Sequence, residues 1–310
     1  MTTAQASSVT MAEFVALFER LKNWGRWGPD DQCGALNLIT AAKRAAAAAL
    51  VREGVTVSAA NPIPVMPGPN NFRPAGRAVL AGGDVAGDGF ASAADLTTIA
   101  PHGFATSHMD ALCHVFWNKQ MYNGYPAAAM TSSGAEKNAI DVARDGVVSR
   151  GVLLDIPRIH GRDFLAKGEA IMVEDLEAAE ARQGVHVEEG DILLVRTGRH
   201  KRESVEGETM LMHGAAGLHV STMPWVKERG VAVLGSDGIS DVLPSRCDDN
   251  VLPVHAATLV AMGVHLLDNL ALERLADACA ERNRWEFQFI LAPLVIERGT
   301  GSALNPIAVF

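Results

Sequence analysis

The sequence predicts a single α/β domain, a mixed β-sheet flanked by helices. Short apolar runs bounded by turn residues, Val147–Ile156 and Ile192–Thr197, read as buried strands, and segments of helical periodicity lie between and around them. Strands and helices intermix without a regular strand–helix–strand repeat, and the N-terminal half is rich in loops. That argues against a doubly wound nucleotide binder. The 310 residues are 48% hydrophobic, ample for one large core.

Met11 to Asn23 places Phe14, Leu17, Phe18 and Leu21 at helical spacing with charge on the other face. After a Trp-rich turn, NWGRWGPDD, Thr40 is the expected N-cap of a helix through AAKRAAAAALVREG, closed by Gly54. Residues 1–54 therefore read as an N-terminal helical arm and 55–310 as the main domain. Val55–Ser58 and Ala78–Leu80 are short β-like pieces. Between them, NPIPVMPGPNNFRPAG reads as a long surface loop, either closing over a ligand or serving as a connector. Helices are expected over Val173–Arg182, Ser221–Arg229, Leu252–Met262 and Leu272–Arg282. Strands are expected over Val231–Leu234, Val264–Leu267 and Phe287–Ile296, the last broken by Pro293.

The net charge of −9 repels phosphate backbones, and the densest basic stretch, Arg196 to Arg202, is short and followed by acidic residues. A nucleic-acid partner is not expected. Cys33, Cys113, Cys247 and Cys279 form no C-x-x-C pair, which suits a reducing cytoplasm. The N-terminus lacks the pattern of a secretory signal, and no segment approaches the ~20 apolar residues of a membrane helix. A soluble cytoplasmic protein acting on a small molecule is the expectation.

Chemistry concentrates in PHGFATSHMDALCHVFWNKQMYNGYP, residues 101–126, which holds His102, His108, Asp110 and His114. Imidazole nitrogen and carboxylate oxygen are ligands for Zn²⁺ and suit Mn²⁺. If His108–Asp110 is extended, both side chains share a face, and His114 can rejoin Asp110 across about one turn. Histidines also cap helices and bond buried carbonyls, so spacing alone leaves both readings open. Trp24, Trp27, Phe116, Trp117 and Tyr122 are candidates for aromatic walls around a substrate, with core packing the alternative for at least half of them. Asp237, in GSDG after an expected strand, is a polar candidate or simply a turn residue.

The segment Ser107-His108-Met109-Asp110-Ala111-Leu112-Cys113-His114 resembles the end of the signature H-x-G-T-H-x-D-x-P-x-H of the cyclase family, which includes bacterial kynurenine formamidases and isatin hydrolases. Further blocks, NWGRWGPDDQCGALNLIT, HVFWNKQMYNG, GVAVLGSDGISDVLPS, PVHAATLVAMGVHLLDNL and GTGSALNPIAVF, look like a longer-chain branch of that family. The resemblance implies a swivelling β/β/α fold and a divalent ion, Zn²⁺ or Mn²⁺, held by His108, Asp110, His114, His255 and Asp268. It also implies catalytic roles for His114 and His255 and brings in Asn37 as a substrate contact; His102, which closely precedes the motif, is a candidate substitute base or a loop histidine that bonds backbone. Ser107 replaces the usual Thr and Leu112 the usual Pro. Asn118 stands where some members carry another His, so one ion is expected rather than a pair.

The implied activity is hydrolysis of a small amide, cyclic amide or lactone by metal-activated water. A metal-dependent lyase or cyclase acting by enolisation, or a non-catalytic metal-binding homologue, are the rivals. The resemblance further implies a homo-oligomer, dimer or tetramer.

Overall fold

The computed structural model describes residues 8–310. Its main strands are β1 (Thr56–Ser58), β2 (Gly76–Ala81), β3 (Ala94–Thr98), β4 (His108–Asp110), β5 (Val147–Asp155), β6 (Ile192–Arg196), β7 (Val233–Ser236), β8 (His265–Asp268), β9 (Glu286–Leu291), β10 (Gly301–Ala303) and β11 (Ile307–Val309). Nine of them form one mixed sheet in the order β1-β11-β9-β5-β6-β7-β8-β4-β10, and β2 pairs only with β3 in a separate hairpin. The strands β5, β6, β7 and β8 run parallel. Every other pairing in the sheet is antiparallel.

The parallel centre corrects one expectation. Its strands are joined by helical crossovers, so a strand–helix–strand repeat does exist. The crossovers differ in length and contain irregular turns, which hides the period in the sequence. The main helices are α1 (Met11–Leu21), α2 (Ala41–Ala48), α3 (Val173–Gln183), α4 (Arg199–Glu206), α5 (Met223–Glu228), α6 (Pro253–His255) and α7 (Glu273–Arg282), with α6 running on as a π-helix over Ala256–Met262.

Helix α1 forms as its spacing predicts. Thr10 and Glu13 make a reciprocal capping box, and Phe14, Leu17, Phe18 and Leu21 are buried, each contributing ~1.5–3 kcal/mol. Helix α2 is capped by Thr40 but stops at Ala48, short of Gly54. The backbone amides of Glu53 and Gly54 instead bond the Phe310 carbonyl. Alanine propensity is a weak preference, and here a tertiary contact overrides it. The helix expected from Ser221 begins at Met223 after a 3₁₀ turn, and β9 ends at Leu291, before Pro293.

Side chains alternate across each strand and fill two apolar cores. Leu154, Leu193, Leu234 and Leu266 pack on one side beneath α1, α3 and the π-helix. Leu153, Leu194, Val233 and Leu267 pack on the other with α7. Short β4, inserted between β8 and β10, carries its polar residues to the first of these faces, next to the C-terminal end of the parallel strands. Among the described residues no helix is long and apolar enough to cross a membrane.

Candidate metal centre

Strand β4 is the foundation of the site. His108 and Asp110 are two apart on an extended segment, so they share a face. Across the antiparallel pair with β8, His108 lies directly opposite Asp268, which puts a second carboxylate on that face. His255, at the end of α6, completes the group. Its Nε2 is 3.4 Å from Asp268 Oδ2 and 3.9 Å from Asp110 Oδ2, and His108 Nε2 is 3.3 Å from Asp110 Oδ1. All four residues are buried.

Both imidazoles are oriented from behind. His108 Nδ1 lies 2.8 Å from the Thr106 carbonyl, and His255 Nδ1 lies 2.6 Å from Asp241 Oδ2. Each therefore donates its Nδ1–H backwards and presents Nε2 to the carboxylates. This is the arrangement that fixes the tautomer of a metal-binding histidine. Asp241 also accepts the amides of Val254 and His255. Burial outweighs the pull of His255 and the two amides and leaves its carboxyl above the usual carboxylate range. Burial opposes a charge on His255, yet Asp241 and Asp268 outweigh it and raise the imidazole well above its usual range. His108 is likewise carried up to about 9, against burial, by Asp110 and Asp268. Asp110 is held well below the usual carboxylate range despite its burial, by the histidines around it.

This cluster of donors is of a kind that could hold a cation. Asp110 Oδ2 and Asp268 Oδ1 are buried and have no hydrogen-bond partner, an arrangement costly for carboxylate oxygens. Two triads, His102–His108–Asp110 and Asp110–His255–Asp268, each bring their ligand atoms within 4.8 Å of one another. The mixed nitrogen and oxygen set fits a divalent ion such as Zn²⁺ or Mn²⁺.

His102 and His114 stand beside this core as a stacked pair, with ring centroids 3.7 Å apart and planes 2° from parallel. His102 is engaged at both nitrogens: Nδ1 with Asp110 Oδ1 and Nε2 with Thr300 Oγ1, each at 2.9 Å. Gly301 makes room for it, since a Cβ there would sit 2.7 Å from His102 Cε1. His114 sits in a turn after β4, its amide bonded to the Ala111 carbonyl, rather than in the helical turn that spacing allowed. Its imidazole makes no side-chain hydrogen bond among the described residues. Burial pulls it down to about 4 despite the opposing charge of Asp110.

The substrate-contact candidates are dispersed. Tyr122 is buried and donates its hydroxyl to Asp31 at 2.9 Å. Trp117 packs edge-on to Phe14 in the core. Trp24 donates its indole N–H to the Val260 carbonyl, and Trp27 lies beneath the Arg26 guanidinium. Phe116 is 43% exposed, and Asn37 bonds Asp31 and the Gly34 carbonyl. Asp237 is buried and caps a loop, accepting the amides of Thr197, Gly198 and Arg199 and the Thr197 hydroxyl. Asn118 is exposed, at a positive φ of 47°. Sequence reasoning missed Asp241 and Thr300. Asp241 stands only four residues after Asp237 in the same GSDGISD block, which was the available signal. Thr300 lies far from the motif in sequence and carried none.

The family model described as "Putative cyclase" matches residues 55–241. The chain belongs to the cyclase family. A solved structure described as a novel cyclase is 35% identical to this member, with a TM-score of 0.85 over 94% of this chain and 99% of that one. Isatin hydrolase A from Ralstonia solanacearum shares 21% identity, with a TM-score of 0.59 over 83% of this chain and 92% of that one. A protein described as a "predicted metal-dependent hydrolase" from Bacillus stearothermophilus shares 15%, with a TM-score of 0.51 over 82% and 97%. The last two likenesses are of fold. No curated protein matches this cyclase-family chain.

Proposed function

We propose that this protein is a metal-dependent hydrolase that opens a small amide, cyclic amide or lactone. The observation that carries the reading is the pair of unpartnered buried oxygens on Asp110 and Asp268, faced by the Nε2 atoms of two imidazoles locked from behind. Asp110, His255 and Asp268, with His108, would hold one divalent ion. Such an ion polarises a carbonyl and lowers the pKa of water toward ~7.

The chain's own residues supply the rest. Among the described residues the His114 imidazole makes no side-chain hydrogen bond, so a ring nitrogen is available to take a proton from water and return it to the leaving nitrogen or oxygen as charge develops there. His102 is fully engaged and acts as the stacked support that fixes the His114 ring. Burial of His108, Asp110, His255 and Asp268 strengthens the electrostatic interactions among them. Likeness in fold to isatin hydrolase A and to the Bacillus protein supports hydrolysis as the reaction class.

The test is metal analysis of protein purified without chelator, followed by turnover of N-formylkynurenine, isatin and a dienelactone in ¹⁸O-labelled water. One equivalent of ion and label in the carboxylate product are expected. Turnover without label transfers the reading to the lyase or cyclase rival, and protein that ignores added Zn²⁺ and Mn²⁺ removes the metal altogether. Assembly as a dimer or tetramer belongs to the same reading. It is supported by the apolar residues Val79, Leu80 and Leu96 exposed on the β2–β3 hairpin. A monomer in sedimentation at micromolar concentration overturns it.

A further inference from the structure

The segment from Pro62 to Pro74 has no regular secondary structure, and its stretch from Asn70 to Arg73 lies across a cleft from His102. Asn70, Asn71, Phe72 and Arg73 form one wall of a cleft whose other wall is residues 102–106. The cleft has about 10 Å³ of free space, room for roughly one water molecule. A second cavity of about 450 Å³ adjoins it, sharing Asn71, Phe104 and Ala105. That volume suits a small ligand. Asn71, Phe104 and Ala105 stand between that cavity and the cleft that holds His102.

The segment is held together internally. Internally, Asn71 Nδ2 donates to the carbonyls of Pro64 at 3.1 Å and Met66 at 2.6 Å, and the Ala75 amide bonds Pro64. Five prolines stiffen it: Pro62, Pro64, Pro67, Pro69 and Pro74. At its base, Asn61 bonds the Asn269 carbonyl. At its tip one side chain makes the polar attachments. Asn70 Nδ2 donates to Glu208 Oε1 and the Thr209 carbonyl, and its Oδ1 accepts the Leu211 amide at 2.7 Å. Phe72 rests edge-on against Phe104 with 5.8 Å between ring centroids. Arg73 is exposed, lines the cleft beside His102, and joins no ion pair among the described residues.

We infer that residues 62–74 form a flap over the metal centre, latched by Asn70, and that Arg73 on this flap binds the carboxylate of the ligand. The inference rests on the hydrolase reading, because opening an amide or lactone always leaves a carboxylate. Guanidinium matches that group with two parallel hydrogen bonds. The flap thus separates two tasks: the outer cavity admits the neutral ring, and Arg73 recognises the acid once it forms.

Binding is measured without turnover, by calorimetry of the metal-loaded protein with benzoate and with its neutral analogue benzamide. Arg73→Ala is expected to weaken benzoate by about tenfold or more while leaving benzamide within about twofold, and Arg73→Lys, which keeps the charge but loses the two-bond fork, to recover only part of the affinity. Benzoate affinity unchanged in Arg73→Ala, or no benzoate binding to the parent protein, overturns the role of Arg73. For the latch, Asn70→Ala is expected to speed amide exchange in residues 62–74 by about tenfold with the sheet unaffected. Unchanged exchange overturns it. Metal content of the same preparations separates the two readings. A full complement of ion with unaltered benzoate affinity defeats Arg73 and leaves the metal centre standing; an empty centre defeats the hydrolase reading itself.

Discussion

Two aspartates stand at the C-terminal ends of neighbouring parallel strands, Asp237 just after β7 and Asp268 closing β8, and both are buried. Their surroundings differ in one respect. The two oxygens of Asp237 are saturated by three backbone amides and a hydroxyl from residues 197–199. Asp268 leaves Oδ1 without a partner and turns Oδ2 toward His255. Burial alone therefore does not mark a functional carboxylate; unmet hydrogen-bonding capacity in a buried place does. Asp237 still serves the site at a distance. The loop it caps leads into Arg199, which bonds the Phe104 carbonyl and Asn269 Oδ1, and Asn269 in turn holds the Gly103 carbonyl.

Six substitutions, grouped in four tests, break or sharpen this contrast. The largest effect is expected at the unsatisfied side. His108→Ala, Asp110→Ala and Asp268→Ala should each empty the centre and lower kcat/KM by more than about 100-fold, beyond what groups behind the ligands produce. Their urea midpoints should stay near that of the parent. Full metal occupancy in all three, measured by elemental analysis, would erase the distinction between the two aspartates.

Next comes Asp237→Ala, which strands several buried donors. A loss of about 4 kcal/mol in urea unfolding is expected, with the folded fraction still binding its ion. Metal loss without a change in stability would place Asp237 on the wrong side of the comparison.

His265 tests whether every unmet buried polar group marks a ligand site. Both its ring nitrogens lack partners, but it lies on β8 at the alternate position, facing away from Asp268. Burial pulls it down to about 4 from the usual 6.5. Below pH 6.5 the unfolded chain takes up a proton that the folded one refuses, so stability falls as pH drops from 6.5 toward about 4 and this contribution then levels off. The contribution is on the order of 3 kcal/mol. In His265→Leu that portion of the acid loss should vanish from denaturation curves of metal-free protein, while the ion is retained at neutral pH. An unaltered pH slope would show that the group is not a neutral buried imidazole.

The smallest effect belongs to Asp241→Asn. It keeps the shape behind His255 but weakens the grip on Nδ1–H, and a rise in metal Kd of about 10- to 100-fold is expected by competition with a chelating dye. A change as large as that of Asp268→Ala would make Asp241 a ligand rather than a support.

Sequence by itself settled what depends on near neighbours. The helical spacing of Phe14, Leu17, Phe18 and Leu21 fixed α1, apolar runs fixed β5 and β6, and the two-residue interval fixed His108 and Asp110 on one face. The family was legible because several blocks of the sequence carry it in order, and the short motif within one of them supplied the candidate ligands His108 and Asp110. Tertiary structure decided the rest. It set β4 between β8 and β10 so that Asp268 faces His108, drew Asp241 behind His255 and Thr300 against His102, and sent Trp117 and Tyr122 to the core. Local periodicity is written within a few residues, whereas strand order and register emerge only when distant segments bury their apolar faces together. That is why a reader of the chain can say which side chains are available as ligands, and only the packed sheet says which of them meet.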